Sequence, residues 1–376
     1  MSESDNVRQA YDKANQFTQR VLTDLRESEL PQTIGRDLKD TYAFFLDEET
    51  RQNLATKGHV TRSAYSFLYL LKSLFLKLAP TRRLLLLLGV VVSLTGIPDE
   101  AIQVVFGLLT VMFVLGLELK DKLIATDELA EGRSVQVALM PAKSPEIAGW
   151  EIFLFTAPAN DVGGDLVDYL QIVPEKLSLS LGDVAGKGLP AALMMAKLQA
   201  TIRAISPLSS SLSEMGTRLN QIVCRDGLPS RFASLVQLEI DANSGHVRLL
   251  NAGHLPPLIV RADKVEVLER GSPAIGLSPK MEFSEQHVDL EQGDLLIVYS
   301  DGVTEARNSI GRFYSDERLL DLADDLRGKT ARQAGDEIID SVRQFVRGAP
   351  PHDDLSIILA RRIADTPNDR EDYSKH

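Results

Sequence analysis

Two predominantly apolar blocks and a longer stretch of short alternating segments divide the chain into regions of different period. Residues 84–97 (LLLLLGVVVSLTGI) and 101–119 (AIQVVFGLLTVMFVLGLEL) lack a polar face, and the intervening Pro98-Asp99-Glu100 reads as the turn of a helical hairpin. As a helix the first block covers about 21 Å, short of a hydrocarbon core of roughly 30 Å, whereas the second approaches transmembrane length. Residues 65–78 (YSFLYLLKSLFLKL) mix apolar bulk with Lys72 and Lys77, as an interfacial helix does; a soluble amphipathic helix is the alternative. Residues 1–60 are polar, with helical stretches around 7–26 and 37–46, and residues 120–132 (KDKLIATDELAEG) read as a helix leaving the membrane.

From about Val135 the period changes to that of strands. Residues 151–157, 176–181 (KLSLSL, strictly alternating), 232–240, 246–251, 295–300 and 354–362 are expected strands, with Asn243-Ser244-Gly245 as a hairpin turn between two of them. Helices interrupt at 189–205, with Pro190 in the first turn, and at 211–223, opened by a capping box of Ser211 and Glu214. Two more helical patterns follow at 315–327 and 330–347. Strands separated by helical pairs and hairpins predict a mixed domain with largely antiparallel sheets.

Charge changes the picture in two places. No Asp or Glu occurs between Arg51 and Pro98, while Arg51, Lys57, Arg62, Lys72, Lys77, Arg82 and Arg83 do. Arg82 and Arg83 precede the first apolar block, Lys120 and Lys122 follow the second, and the turn carries only acids, the positive-inside pattern of a hairpin. Two spans of a cytoplasmic membrane, with both termini and the strand-rich C-terminal domain in the cytoplasm, are therefore expected; a buried soluble hairpin is the alternative. Over 376 residues the net charge is -12, which argues against a nucleic-acid partner. The single cysteine, Cys224, excludes multi-cysteine metal sites.

Four carboxylates stand where strands give way to glycine-rich or turn sequence: Asp165 in VGGD, Asp183 in GDVAGKG, Asp301 in YSDGV and Asp353 in HDDLS. Acids gathered at one sheet edge repel one another unless hard cations neutralise them, and four charges balance two divalent ions. No histidine or cysteine pairing occurs at ligand spacing, so oxygen ligands favour Mg²⁺ or Mn²⁺ over Zn²⁺. A turn or helix cap is the alternative role for any one of these aspartates.

Taken in order, VGGD, GDVAGKGLPAALMMA, NAGHLPP, GLSP, YSDGVTEARN and PHDDLSIIL resemble the SpoIIE/RsbU-type branch of metal-dependent, protein phosphatase 2C-like (PPM) Ser/Thr phosphatases. The resemblance covers roughly residues 135–363. It implies an α+β fold, an α-β-β-α sandwich, with two divalent cations, Mn²⁺ or Mg²⁺, at one edge of the paired sheets. By motif position Asp183 bridges the ions and the Val184 carbonyl is a further ligand. Asp301 and Asp353 hold one ion and Asp165 supports the other; Asp354 occupies a position that an uncharged residue takes in relatives. The implied reaction is hydrolysis of a phosphoserine or phosphothreonine monoester by a metal-bridging water. The implied substrate is an anti-sigma-factor antagonist of the STAS type in partner-switching signalling, and a homodimer is open. Lys187, before a helix N-terminus, is a candidate phosphate contact or a solvated loop lysine; His254 in NAGH is a candidate substrate contact or a packed histidine. The sequence departs from its relatives at Leu166 and Val167, where an aromatic and a polar residue are commoner, which bears on substrate preference.

The layout expected is a cytoplasmic helical segment (1–64), an interfacial helix in contact with membrane lipid (65–81), a transmembrane hairpin (82–120), a linker helix (121–140), the PPM-type domain (141–363) and a polar tail (364–376). Two rival readings are a catalytically inactive membrane scaffold of the same fold and a metal-dependent nucleotide cyclase. The cyclase rests on Gly163-Gly164-Asp165 and leaves GDVAGKG, SDG and DD unexplained.

Overall fold

The computed structural model describes residues 59–95, 101–226 and 231–363. The helices expected near 7–26 and 37–46, the acidic turn at 99–100 and the polar tail lie outside the described residues. The chain divides into two units, Met1–Leu123 and Ile124–His376.

In the first unit, helix α1 (His59–Lys77) begins six residues before the expected interfacial segment, and α2 (Pro80–Thr95) follows after a short break. Helix α3 (Ala101–Leu139) runs without interruption through the position where hairpin and linker were expected to divide. Among the described residues α3 is the one helix long and apolar enough to cross a membrane. The 16 residues of α2 reach only about 24 Å. Within this unit Gly89 and Gly107 let α2 and the start of α3 pack closely: a Cβ on Gly89 would stand 3.0 Å from the Gly107 carbonyl oxygen. Glu118, the one acid in the second apolar block, is met by Arg82 at 2.7 Å, and Arg82 also reaches Asp121 at 2.6 Å. Leu84, Leu94, Ile102, Phe106 and Met112 are exposed.

The second unit is the expected mixed α+β sandwich. One sheet has the order β1-β10-β9-β6-β7 and the other β2-β3-β4-β5-β8, and neighbouring strands pair antiparallel in both. Their spans are β1 Trp150–Ala157, β2 Asp165–Val173, β3 Lys176–Val184, β4 Ala233–Asp241, β5 His246–Ala252, β6 Leu258–Val260, β7 Val265–Val267, β8 Gln286–Asp289, β9 Leu295–Tyr299 and β10 Leu355–Arg362. Strand β3 shows how the sequence builds the layers. Leu177, Leu179 and Leu181 point between the sheets with Val236, Leu238 and Ile358, while Ser178 and Ser180 on the other face bond to the buried Gln237.

Helices cover both outer faces. Helices α4 (Leu189–Ile205) and α5 (Leu212–Asp226) bury Met195, Leu198, Ile202, Met215 and Leu219 against the second sheet. On the first sheet, after the short α6 (Asp301–Thr304), helices α7 (Asp316–Asp325) and α8 (Ala331–Val346) bury Leu319, Ala334, Ile338 and Val342. Truncating a fully buried leucine such as Leu198 to alanine would cost about 2–5 kcal/mol. Helix α8 carries a complete capping box between Thr330 and Gln333. The box expected at α5 is only half formed: Ser211 Oγ accepts from the Glu214 amide, but the Glu214 carboxylate turns to Ser210. Glu285 caps two further amides of this helix start, its Oε2 accepting from Leu212 and Ser213 at 2.6 and 3.3 Å.

Candidate active site at the acid edge

The four aspartates singled out in the sequence come from the same end of both sheets. Asp165 opens β2 directly opposite Asp183, the penultimate residue of β3, so the ladder register brings two carboxylates side by side. In the other sheet β9 and β10 are neighbours; Asp301 follows β9 at the first position of α6, and Asp353 precedes β10. Ser300 locks these ends together, its hydroxyl donating to the Asp354 carbonyl at 2.9 Å and accepting from the Ser356 amide at 3.0 Å. Glycine is required at 302, where a Cβ would collide with the Asp354 carbonyl oxygen.

Asp354 joins the two sheets as well as adding its charge to the cluster. Its Oδ1 accepts from the Ala159 amide at 2.8 Å, and its Oδ2 accepts from Gly164 at 2.6 Å and from Asp165 at 3.3 Å. Gln136, near the end of α3, grips the same loop: its amide nitrogen donates to the Gly163 carbonyl at 2.7 Å and its oxygen accepts from the Gly163 amide at 3.0 Å. Two residues before Asp165, the loop is thus pinned from both sides.

The acids themselves lack equivalent partners. Asp165 is buried, and its Oδ2 has no hydrogen-bond partner. Burial and the neighbouring Asp183 hold its carboxyl well above the usual range. Asp183 is raised to about 7 by burial, then by Asp301, Asp353 and Asp354. Asp301 is raised to about 6 by burial, then by Asp353 and Glu305. Lys187 is the cation these acids face, with Nζ 2.9 Å from Asp353 Oδ2 and donating to the His352 carbonyl at 2.8 Å. Its charge lowers Asp183 and Asp301 without offsetting burial and mutual repulsion.

This donor set fits hard divalent cations. An orphaned, buried carboxylate oxygen and acids that burial and one another's charge keep protonated both need more positive charge than Lys187 provides. The carbonyl of Val184 lies beside Gly164, where a Cβ would approach it to 3.2 Å. Among the described residues no three side chains of His, Cys, Asp or Glu are already drawn together at ligand distances.

A cavity of about 650 Å³ opens beside the acids, lined by Asp183, Asp301, Ser234, His254, Arg270 and Glu305 among others. His254 sits on its wall with both ring nitrogens engaged: Nδ1 is 2.7 Å from Ser234 Oγ, and Nε2 donates to the Tyr299 carbonyl at 3.1 Å. Burial lowers its pKa to about 4, so the ring is neutral. Asp354, Gln136, Glu305 and Arg270 escaped the sequence reading. The first was weighed only as a ligand, Gln136 lies in an ordinary helix, and Arg270 reaches the wall on a loop with no periodic signal.

Known proteins resemble this chain in the same region. The profile of the stage II sporulation protein E (SpoIIE) family matches residues 174–363. Protein IcfG of Synechocystis sp. is 27% identical over 268 residues, covering 62% of this chain and 41% of that protein. Phosphoserine phosphatase RsbU of Bacillus subtilis is 26% identical over 237 residues, covering 62% of this chain and 70% of its own length. The match thus spans well under half of the first relative and somewhat over two thirds of the second. Among solved structures, the SiaA-PP2C domain of Pseudomonas aeruginosa superposes with a TM-score of 0.56 at 21% identity, over 65% of this chain and 99% of that domain. At that identity the likeness establishes the fold.

Proposed function

Because this chain belongs to the SpoIIE family, we propose that it is a protein phosphatase that hydrolyses phosphoserine or phosphothreonine monoesters at the acid edge. The observation that carries this reading is the set of under-partnered acids, of which Asp183 and Asp301 line the cavity, which calls for divalent cations where a phosphate dianion would enter. The name of the relative RsbU, a phosphoserine phosphatase, supports the substrate class. The family match and the two-sheet fold displace the nucleotide cyclase reading.

Asp183, Asp301 and Asp353, with Asp165 and the Val184 carbonyl, would hold two Mn²⁺ or Mg²⁺ ions. Bound there, such cations supply neutralisation of the phosphoryl charge and acidification of the attacking water. The chain's own residues do the rest. Lys187, anchored on Asp353, places a positive charge where the phosphate dianion arrives. His254, neutral and tied at both nitrogens, shapes the wall rather than exchanging protons. Asp354 and Gln136 hold the loop that sets the position of Asp165. The test is phosphate release from a phosphorylated STAS-type antagonist by the full-length protein in detergent with Mn²⁺. Release that survives in both Asp183→Asn and Asp301→Asn would remove the assignment.

The same reading includes a membrane anchor. Helix α3 crosses the bacterial cytoplasmic membrane, α2 returns as a shorter span accommodated by local thinning, and α1 lies against lipid headgroups, leaving the catalytic unit in the cytoplasm. The exposed apolar side chains of α2 and α3 and the Arg82 partner of Glu118 support it. Cysteines introduced at Asp99 and Glu100 should react with an impermeant thiol reagent in intact cells, while Cys224 should not; recovery of the full chain without detergent would overturn the anchor.

The linker also serves regulation in a homodimer. Gln136 on α3 holds Gly163, and Gln199 on α4 donates to the Leu139 carbonyl at 2.7 Å, so the end of α3 bonds to both the Asp165 loop and the α4 helix. Inserting one to three residues near Ala130 should change phosphate release periodically and a heptad should restore it. Equal rates at every insertion length would leave the linker a passive tether.

A further inference from the structure

We propose that His246 and His287 form a binding site for a borderline transition-metal ion of the Zn²⁺ or Cu²⁺ class, separate from the acid edge. The β5–β8 register sets His246 opposite Asp289 and Arg248 opposite His287, so Asp289, His246 and His287 share one face of the second sheet. Each imidazole has a carboxylate against one nitrogen: His246 Nδ1 lies 2.9 Å from Asp289 Oδ1, and His287 Nε2 lies 3.3 Å from Glu285 Oε1. The remaining nitrogens, His246 Nε2 and His287 Nδ1, face each other at 3.1 Å.

The two inner nitrogens stand at a separation that one shared N–H can bridge as a hydrogen bond and that one metal ion bound to both can also span. Two imidazole nitrogens bound at 2.0–2.1 Å to one ion, at angles from about 90° to 110°, lie about 2.9–3.4 Å apart, which brackets the separation seen. Carboxylates on the outer nitrogens fix tautomer and ring orientation, as they do behind metal-bound histidines elsewhere. Glu285 is the best-anchored of these groups, since its other oxygen caps α5 at Leu212 and Ser213.

Imidazole ligands select Zn²⁺, Cu²⁺ or Ni²⁺ over the Mg²⁺ and Mn²⁺ that suit the all-oxygen acid edge. The side chains of His246 and His287 are 42% and 53% exposed, which leaves room for water to complete the coordination. Such a two-imidazole chelate binds more weakly than a four-ligand structural site. The two histidines lie 41 positions apart, so no sequence spacing pairs them and the β5–β8 ladder brings them together.

The test uses full-length protein without a polyhistidine tag, in detergent, with excess Mg²⁺ to occupy the acid edge and one equivalent of Cu²⁺ as probe. The electron paramagnetic resonance spectrum should show coupling to two imidazole nitrogens and lose it in both His246→Gln and His287→Gln, with melting and Mn²⁺-dependent phosphate release unchanged. Equilibrium dialysis with Zn²⁺ should give one bound ion that both variants abolish, and Asp289→Asn should weaken binding roughly tenfold by removing the outer carboxylate. Absence of bound copper and zinc, or a two-nitrogen spectrum that persists in either histidine variant, would overturn the site and leave a proton as the shared cation.

Discussion

Two sets of buried or half-buried aspartates in the same sandwich differ in what they touch. Asp168 takes a two-pronged contact from Arg203 at 2.7 Å on each oxygen, Asp294 is met by Arg261 at 2.7 Å and by the Glu291 amide, and Asp354 gathers three backbone amides. At the acid edge, Asp165 has an orphaned oxygen, and Asp183 and Asp301 are raised to about 7 and 6. The first set is compensated by the fold and holds it together. The second is left for something the fold does not provide, and partnering rather than burial distinguishes a structural acid from one kept for a ligand.

The contrast between Asp353 and Asp354, adjacent in sequence, can be broken by substitution. Replacing Asp183 or Asp301 by Asn should lower Mn²⁺-dependent phosphate release by on the order of a thousandfold or more, with no loss of metal-free melting temperature, because a repelling charge leaves the cluster. Asp354→Ala should act in the opposite sense, lowering stability by roughly 2–4 kcal/mol in a denaturation series as three amides lose their acceptor. Arg203→Ala, which strands the buried Asp168, should cost less, roughly 1–2 kcal/mol, because the arginine side chain is 47% exposed. Activity per folded molecule should survive both losses of stability better than it survives Asp183→Asn.

The smallest expected effect is on pH dependence. Asp183 and Asp301 titrate at about 7 and 6 in the folded chain, above an ordinary carboxylate near 4. Between those values the folded state binds more protons than the unfolded one, so metal-free stability should fall as pH rises from about 4 to 7, by about 1 kcal/mol or more. Thermal melts with chelator should show this slope and melts with Mn²⁺ should not; a flat metal-free profile would contradict the assignment of raised values to these two acids.

Much of this contrast was legible in sequence and part of it was not. The acids of the edge announce themselves because strand ends beside glycine leave a recognisable local pattern, as in GDVAGKG and YSDGV. Strand β3 was legible for the same local reason, its alternation of leucine and serine. The short strands β6, β7 and β8, of three or four residues, carry too few positions for a period to emerge. Strand β2 was obscured because its first four residues are all buried, which removes the alternation. Asp354 and Gln136 act on a loop 190 and 27 positions away, and the His246–His287 approach depends on the register of β5 and β8; such contacts are properties of the folded chain. Helix α3 carries the apolar block 101–119 and the helix expected at 120–132 in one piece: the change from apolar to charged composition at residue 120 marks a change of surroundings, and the helix continues through it.

The central claim is that under-partnered acids at the sheet edge hold divalent cations. Calorimetric titration of the full-length, metal-free protein with Mn²⁺ at pH 6.5, in two buffers of different ionisation enthalpy, measures both binding and proton release. The account predicts binding accompanied by release of protons from the Asp183 cluster, with the release fading by pH 8.5 and tight binding lost in Asp183→Asn. Binding without proton release at pH 6.5, or equal affinity in Asp183→Asn, would contradict it.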